Sequence, residues 1–160
     1  MHYSGALETE ASSTLHRRGQ PCCRPRQEPF EIRSVAIQSC KILVADDEYL
    51  IRWSLTQALC HEGHEVTSVE NGRKAIEAAK AEHFDFIITD LIMPESDGWE
   101  VLETAMQAQP PPRVIIITAR GNEETARMAR EKGAWAYVEK PYIIDRIKEI
   151  LNAPLSNQFS

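Results

Sequence analysis

The chain has 160 residues, 42% of them hydrophobic and 26% charged, a composition that suits one globular domain. Its net charge of −6 argues against nonspecific nucleic-acid binding, which rests on Lys and Arg against phosphate. No apolar run approaches the roughly 18 residues of a membrane-spanning helix.

The charge is unevenly spread. Residues 1–39 hold five Arg against four Glu, whereas residues 40–160 hold 13 basic and 20 acidic residues. The first stretch shows no sustained period of two or of 3.6. Pro21, Pro25 and Pro29 recur within it, and proline removes a donor and resists helix. Residues 1–39 are therefore expected to form a disordered extension without the apolar core of a secretory signal. Cys22, Cys23, Cys40 and Cys60 match no metal-binding spacing. They are expected to be reduced thiols in a reducing compartment, the cytoplasm.

From Lys41 the texture changes. Lys41–Ala45 is a short apolar run suited to a strand buried on both faces, and it ends in Asp46-Asp47-Glu48. Leu50, Ile51, Ser54, Leu55, Ala58 and Leu59 recur at three- and four-residue steps, a helix stopped by Gly63. Glu65–Val69 alternates and reads as an edge strand. A turn at Asn71-Gly72 opens a helix over Arg73–Ala81. Asp85–Thr89 is the third strand. It delivers Asp90 at its tip before Pro94 and Gly98 turn the chain away. A helix over Gly98–Gln109 is ended by Pro110-Pro111-Pro112. Val114–Ile117, the most apolar strand and expected at the centre, ends in Thr118. Glu123–Lys132 is helical and closes on Gly133. Ala134–Val138 is the fifth strand and runs into Glu139-Lys140-Pro141. A last helix covers about residues 143–151, and residues 154–160 are a frayed tail.

Alternating βα units imply an α/β fold: a doubly wound, five-stranded parallel sheet with helices on both faces. In such a sheet the strands' carboxyl ends share one edge, where ligands bind. Asp46, Asp47, Asp90, Thr118 and Lys140 all arrive there. Each alone has an ordinary explanation. The acidic pair could cap a helix, Asp90 could set a turn, Thr118 could precede a helix, and Lys140 could be a solvated surface charge. All of them together at one edge is a stronger signal. Clustered carboxylates need a cation, and hard oxygen ligands with open positions suit Mg²⁺. A carboxylate there can attack phosphorus, while Lys140 and Thr118 supply donors to the phosphoryl oxygens.

These blocks, Ile42–Glu48, Thr89–Pro94 with Asp97-Gly98, Ile117-Thr118-Ala119 and Glu139-Lys140-Pro141, resemble the receiver domain of bacterial two-component response regulators. The resemblance covers about residues 40–153 and implies strand order 2-1-3-4-5. It implies that Asp90 accepts a phosphoryl group from a histidine kinase or phosphotransfer protein. Asp47, Asp90 and the backbone carbonyl of Ile92 would bind Mg²⁺ directly, and Asp46 through a water. Thr118 and Tyr137 would form the switch, and the Lys140–Pro141 bond would be cis. Ile92 and Arg120, two residues beyond Asp90 and Thr118, would adjust the lifetime of the phosphoryl state. The output surface would be the fourth helix, fifth strand and fifth helix, with Arg127, Arg130, Trp135 and Tyr137.

Ile51-Arg52-Trp53-Ser54-Leu55 resembles receivers of nitrogen-regulation activators, which continue into ATPase and DNA-binding domains. Only 20 residues follow Lys140, too few for a helix-turn-helix. No direct DNA binding is therefore expected, and the chain is either a stand-alone receiver or a fragment. A phosphorylation-dependent homodimer is left open. Two other functions compete. An Asp-nucleophile phosphatase would want Asp-x-Asp at the first strand, which Asp46-Asp47 does not supply. A phosphate-independent adaptor would have no need of the intact acidic set. A flavin module is disfavoured by the acidic first loop.

Overall fold

The computed structural model describes residues 39–141 and 143–153, so the expected extension and tail lie outside the described residues but for Ser39. Ten elements alternate: β1 (Lys41–Ala45), α1 (Tyr49–His61), β2 (Glu65–Val69), α2 (Gly72–Ala81), β3 (Phe86–Asp90), α3 (Gly98–Ala105), β4 (Arg113–Thr118), α4 (Glu123–Glu131), β5 (Ala136–Glu139) and α5 (Ile143–Asn152). The strands form one parallel sheet in the order β2-β1-β3-β4-β5. This is the doubly wound arrangement expected, with β2 at an edge.

Side chains of a strand alternate between faces, so each inner strand feeds two cores. Ile42, Val44, Ile88, Ile115 and Ile117 pack with Leu55 and Leu59 of α1 and with Ile143, Ile147 and Ile150 of α5. Leu43, Ile87, Val114 and Ile116 pack on the other side with Ala75 of α2, Val101 and Leu102 of α3, and Ala129 of α4. Burial on both faces explains why the inner strands read as unbroken apolar runs. β4, the most apolar strand, is interior as expected, paired with β3 on one side and β5 on the other.

The helix expected over Gly98–Gln109 stops at Ala105. Its end is tightened by short-span bonds, Gln107 N–H to Thr104 C=O and Ala108 N–H to Ala105 C=O, each 3.1 Å. The prolines beyond offer no N–H, and the residue before a proline is pushed out of the helical region. β5 begins two residues later than expected. Ala134 N–H still closes α4 on Ala129 C=O at 2.9 Å, after Gly133 has turned the chain at φ 93°. Asn71, Asp97 and Asn122 cap α2, α3 and α4 through their side chains.

The cysteine expectation fails at one position. Cys60 is disulfide-bonded. Nothing in the spacing of the four cysteines marks which would pair. Cys40 is a thiol whose pKa burial raises.

His64 is buried, and its Nδ1 accepts the Cys40 N–H at 3.3 Å. Burial lowers its pKa below the ordinary value of 6.5, and Glu62 opposes that only partly. Protonation would place a hydrogen on Nδ1 against the N–H it now accepts. A depressed folded pKa means the neutral imidazole stabilises the fold above about pH 6.5, and that contribution is lost as pH falls through the folded value. Urea midpoints of the wild type should therefore fall between pH 7.5 and 5 more steeply than those of His64→Asn. The difference in slope is at most about 1.4 kcal/mol per pH unit. Parallel profiles would remove His64 from the account.

Candidate functional site

Four strands deliver their C-terminal ends to one edge. β1 runs into Asp46 and Asp47, β3 ends on Asp90, β4 on Thr118, and β5 runs into Lys140. Parallel register sets Asp90 beside Ile117 and Thr118 beside Glu139. Lys140 N–H then donates to Thr118 C=O at 2.9 Å, which fixes where the lysine leaves the sheet. The Lys140–Pro141 bond is cis, as expected. Asp46, Asp90 and Thr118 are buried, and Asp47 is exposed.

Lys140 joins two of the acids. Its Nζ lies 2.6 Å from Asp90 Oδ2 and 3.0 Å from Asp46 Oδ2, with only 10% of the side chain exposed. The Asp46 contact is an ion pair by distance, but its angles leave Oδ2 without a directed hydrogen bond. Burial alone would lower the ammonium's pKa, yet its bonds to Asp90 and Asp46 outweigh burial and hold it above the ordinary value. For Asp46 burial wins. It pushes the carboxyl pKa up, and Lys140 pulls it only partly back.

Carboxylate oxygens of Asp46, Asp47 and Asp90 lie within 4.8 Å of one another. Two unit charges about 5 Å apart repel by roughly 3 kcal/mol at an effective dielectric near 20. One ammonium cannot balance three carboxylates. An all-oxygen donor set with an exposed member, and an under-bonded oxygen on Asp46, suits a hard divalent cation that keeps some of its waters.

Local backbone bonds aim these groups. Asp90 Oδ1 accepts Ile92 N–H at 3.0 Å. The loop behind it closes tightly, with Gly98 N–H on Leu91 C=O at 3.0 Å. A Cβ at Gly98 would stand 2.3 Å from the Asp90 carbonyl oxygen, so only glycine fits there. Asp46 Oδ1 accepts Glu48 N–H at 2.8 Å, and Asp46 C=O accepts Arg52 Nη1 at 2.6 Å. Thr118 Oγ1 accepts Arg120 N–H at 3.2 Å.

Of the residues singled out from sequence, Asp46, Asp47, Asp90 and Lys140 come together, with Thr118 at the adjoining strand tip. The side chains of Ile92 and Arg120 are exposed. Tyr137 pairs in register with Ile116 and so shares Thr118's face of the sheet, packed against the core of α2, α3 and α4. Its hydroxyl is buried without a hydrogen-bond partner among the described residues. Burial and the Glu139 carboxylate raise its pKa, and the Asn122 backbone opposes this from a position short of proper bonding geometry. Two contributors escaped the sequence reading: the Arg52 side chain and the Ile92 N–H. A helical Arg looks like solvated surface, and a backbone donor leaves no mark on residue type.

A family model, the response regulator receiver domain, matches residues 42–152. The chain belongs to the response regulator receiver family. The receiver is 34% identical over 116 residues to the DNA-binding transcriptional regulator NtrC of Azospirillum brasilense, covering 72% of this chain and 24% of that protein. It thus spans about a quarter of that regulator's length. It is 34% identical over 109 residues to sporulation initiation phosphotransferase F of Bacillus subtilis (strain 168), covering 68% of this chain and 88% of that one. Among solved structures it resembles a response regulator protein from Burkholderia pseudomallei with a phosphorylated aspartic acid and a calcium ion. That match has TM-score 0.65 and 29% identity, covering 71% of this chain and 66% of that one. A receiver domain is a signalling module of two-component systems, phosphorylatable on an aspartate. No described helix is long and apolar enough to cross a membrane.

Proposed function

We propose that Asp90 is the aspartate phosphorylated in this receiver, and that the phosphoryl group comes from a histidine kinase or phosphotransfer protein. An Asp90 carboxylate oxygen attacks phosphorus, the bond from phosphorus to the donor nitrogen breaks, and an aspartyl-phosphate remains. The observation that carries this reading is the Lys140 ammonium, 2.6 Å from Asp90 Oδ2 and 3.0 Å from Asp46 Oδ2. It pairs with the acid before transfer and is placed to meet the phosphoryl oxygens afterwards.

Asp46, Asp47, Asp90 and the Ile92 carbonyl would hold Mg²⁺, which when bound offsets the crowded carboxylates and the charge on the phosphoryl oxygens. Thr118 exchanges its bond from Arg120 N–H for donation to the phosphoryl group, and Tyr137 follows on the same face of the sheet. Exposed Ile92 and Arg120 flank the acceptor and restrict the water that would hydrolyse it. The changed surface of α4, β5 and α5, with Arg127, Arg130 and Trp135, binds the output protein. The receiver works in the cytoplasm.

Incubation with Mg²⁺ and a small-molecule phosphodonor such as acetyl phosphate tests this. One acid-labile phosphoryl group per chain should map to Asp90 by mass spectrometry. Modification elsewhere, or none, rejects the assignment.

A further inference from the structure

Arg52 sits on α1 and is half-buried. Its Nη1 donates to the Asp46 carbonyl at 2.6 Å, and its guanidinium lies 5.7 Å over the Tyr49 ring. It also acts on Glu70, just beyond β2. The Glu70 carboxyl pKa is lowered chiefly by the bond from Lys74, with Arg52 a lesser contributor. One side chain therefore links the end of β1 to the first turn of α1.

This link replaces a missing cap. Glu48, at the N-cap of α1, makes no side-chain cap bond. The turn is held instead by Asp46, whose Oδ1 takes the Glu48 N–H while its own N–H reaches Val69 C=O at 3.3 Å. Arg52 holds the carbonyl end of the peptide between Asp46 and Asp47, and the bonds from the Asp46 and Glu48 N–H groups hold the peptides on either side. Asp47 is exposed and gains no orientation from burial. Where its carboxylate points follows from that peptide plane.

We propose that Arg52 is a positioning residue, which clamps the Asp46–Asp47 peptide and so sets the receiver's affinity for a divalent cation. The proposal rests on the reading that the three carboxylates take Mg²⁺. Two effects of Arg52 oppose each other there. Its charge repels a cation, and its hydrogen bond orders two of the ligands beforehand. The charge is spent on the Asp46 carbonyl and the Tyr49 ring, so ordering outweighs repulsion.

Two variants separate these effects. Arg52→Lys keeps the charge and loses the planar fork, and Arg52→Met loses both. Mg²⁺ is titrated into the wild-type protein and both variants by calorimetry. Each variant should bind about fivefold to tenfold more weakly, within the net worth of one ordinary hydrogen bond. In metal-free protein, hydrogen exchange at the Glu48 amide, which donates to Asp46 Oδ1, should quicken in both variants, while the Lys140 amide keeps its protection. Wild-type affinity in both variants overturns the clamp. So does tighter binding by Arg52→Met, which would mean that Arg52 acts by charge. A wild-type protein that takes up no Mg²⁺ removes the underlying reading instead, a result distinct from either.

Discussion

Lys140→Ala should destabilise the metal-free receiver by about 3 kcal/mol and slow phosphoryl uptake by about a hundredfold. The lysine faces two buried acids, at 2.6 Å and 3.0 Å. Removing it leaves Asp46 and Asp90 close together beside Asp47 with no counter-charge. A fully buried pair broken in this way costs about 3–5 kcal/mol. The lower end applies because Asp47 borders solvent and water can enter. Urea unfolding checks the prediction, and added Mg²⁺ should restore much of the loss by supplying positive charge. An unchanged midpoint would mean that Lys140 does not balance these acids.

Asp90→Asn should abolish phosphoryl uptake, yet move stability in the other direction. The amide is not a nucleophile toward phosphorus, so no acid-labile phosphate should form under conditions that label the wild-type protein. The substitution removes one of three mutually repelling carboxylates. The asparagine carbonyl can still accept from Lys140, and Asp46 keeps its ion pair. Metal-free stability should rise by about 1 kcal/mol, and Mg²⁺ should bind more weakly. If these groups served only to hold the strand ends together, both variants would lose stability. A midpoint for Asp90→Asn that falls alongside that of Lys140→Ala would support that plainer role.

The contrast between the variants follows from how the site is built. Its acids are crowded beyond what one ammonium can offset, and the surrounding fold supplies the difference. α1 and α5 bury Leu55, Leu59, Ile147 and Ile150 against one face of the sheet, at roughly 1.5–3 kcal/mol for each fully buried side chain. That packing can carry a local electrostatic penalty of a few kcal/mol at the strand tips. The penalty is what gives a cation or a phosphoryl group leverage over the structure.

Much of this was visible in the order of residue types. Apolar runs of four to six residues separated by helical periods report a sheet covered on both faces, because burial leaves a local record at each position. The acids at Asp46, Asp47 and Asp90 and the base at Lys140 follow such runs directly, so their arrival at one edge follows from parallel topology alone. Ends of elements were less legible. α3 stops short of its triple proline because the last turn tightens, and β5 starts late because Ala134 still serves α4. The Cys60 disulfide left no trace in spacing. Arg52 was hidden for another reason. A residue's type shows what it can bond to, not which carbonyl six positions earlier lies within reach.

Local composition thus determines which side chains meet at the edge, since alternation and period act over neighbouring residues. The distances between them belong to the assembled sheet. Lys140 reaches Asp90 across 50 positions of chain because β3, β4 and β5 pair in one register. A slip of one residue in β5 would turn its side chains to the opposite face. The identity of the charges is local, while their balance is tertiary, because electrostatic energy depends on separation and burial, which no single segment carries.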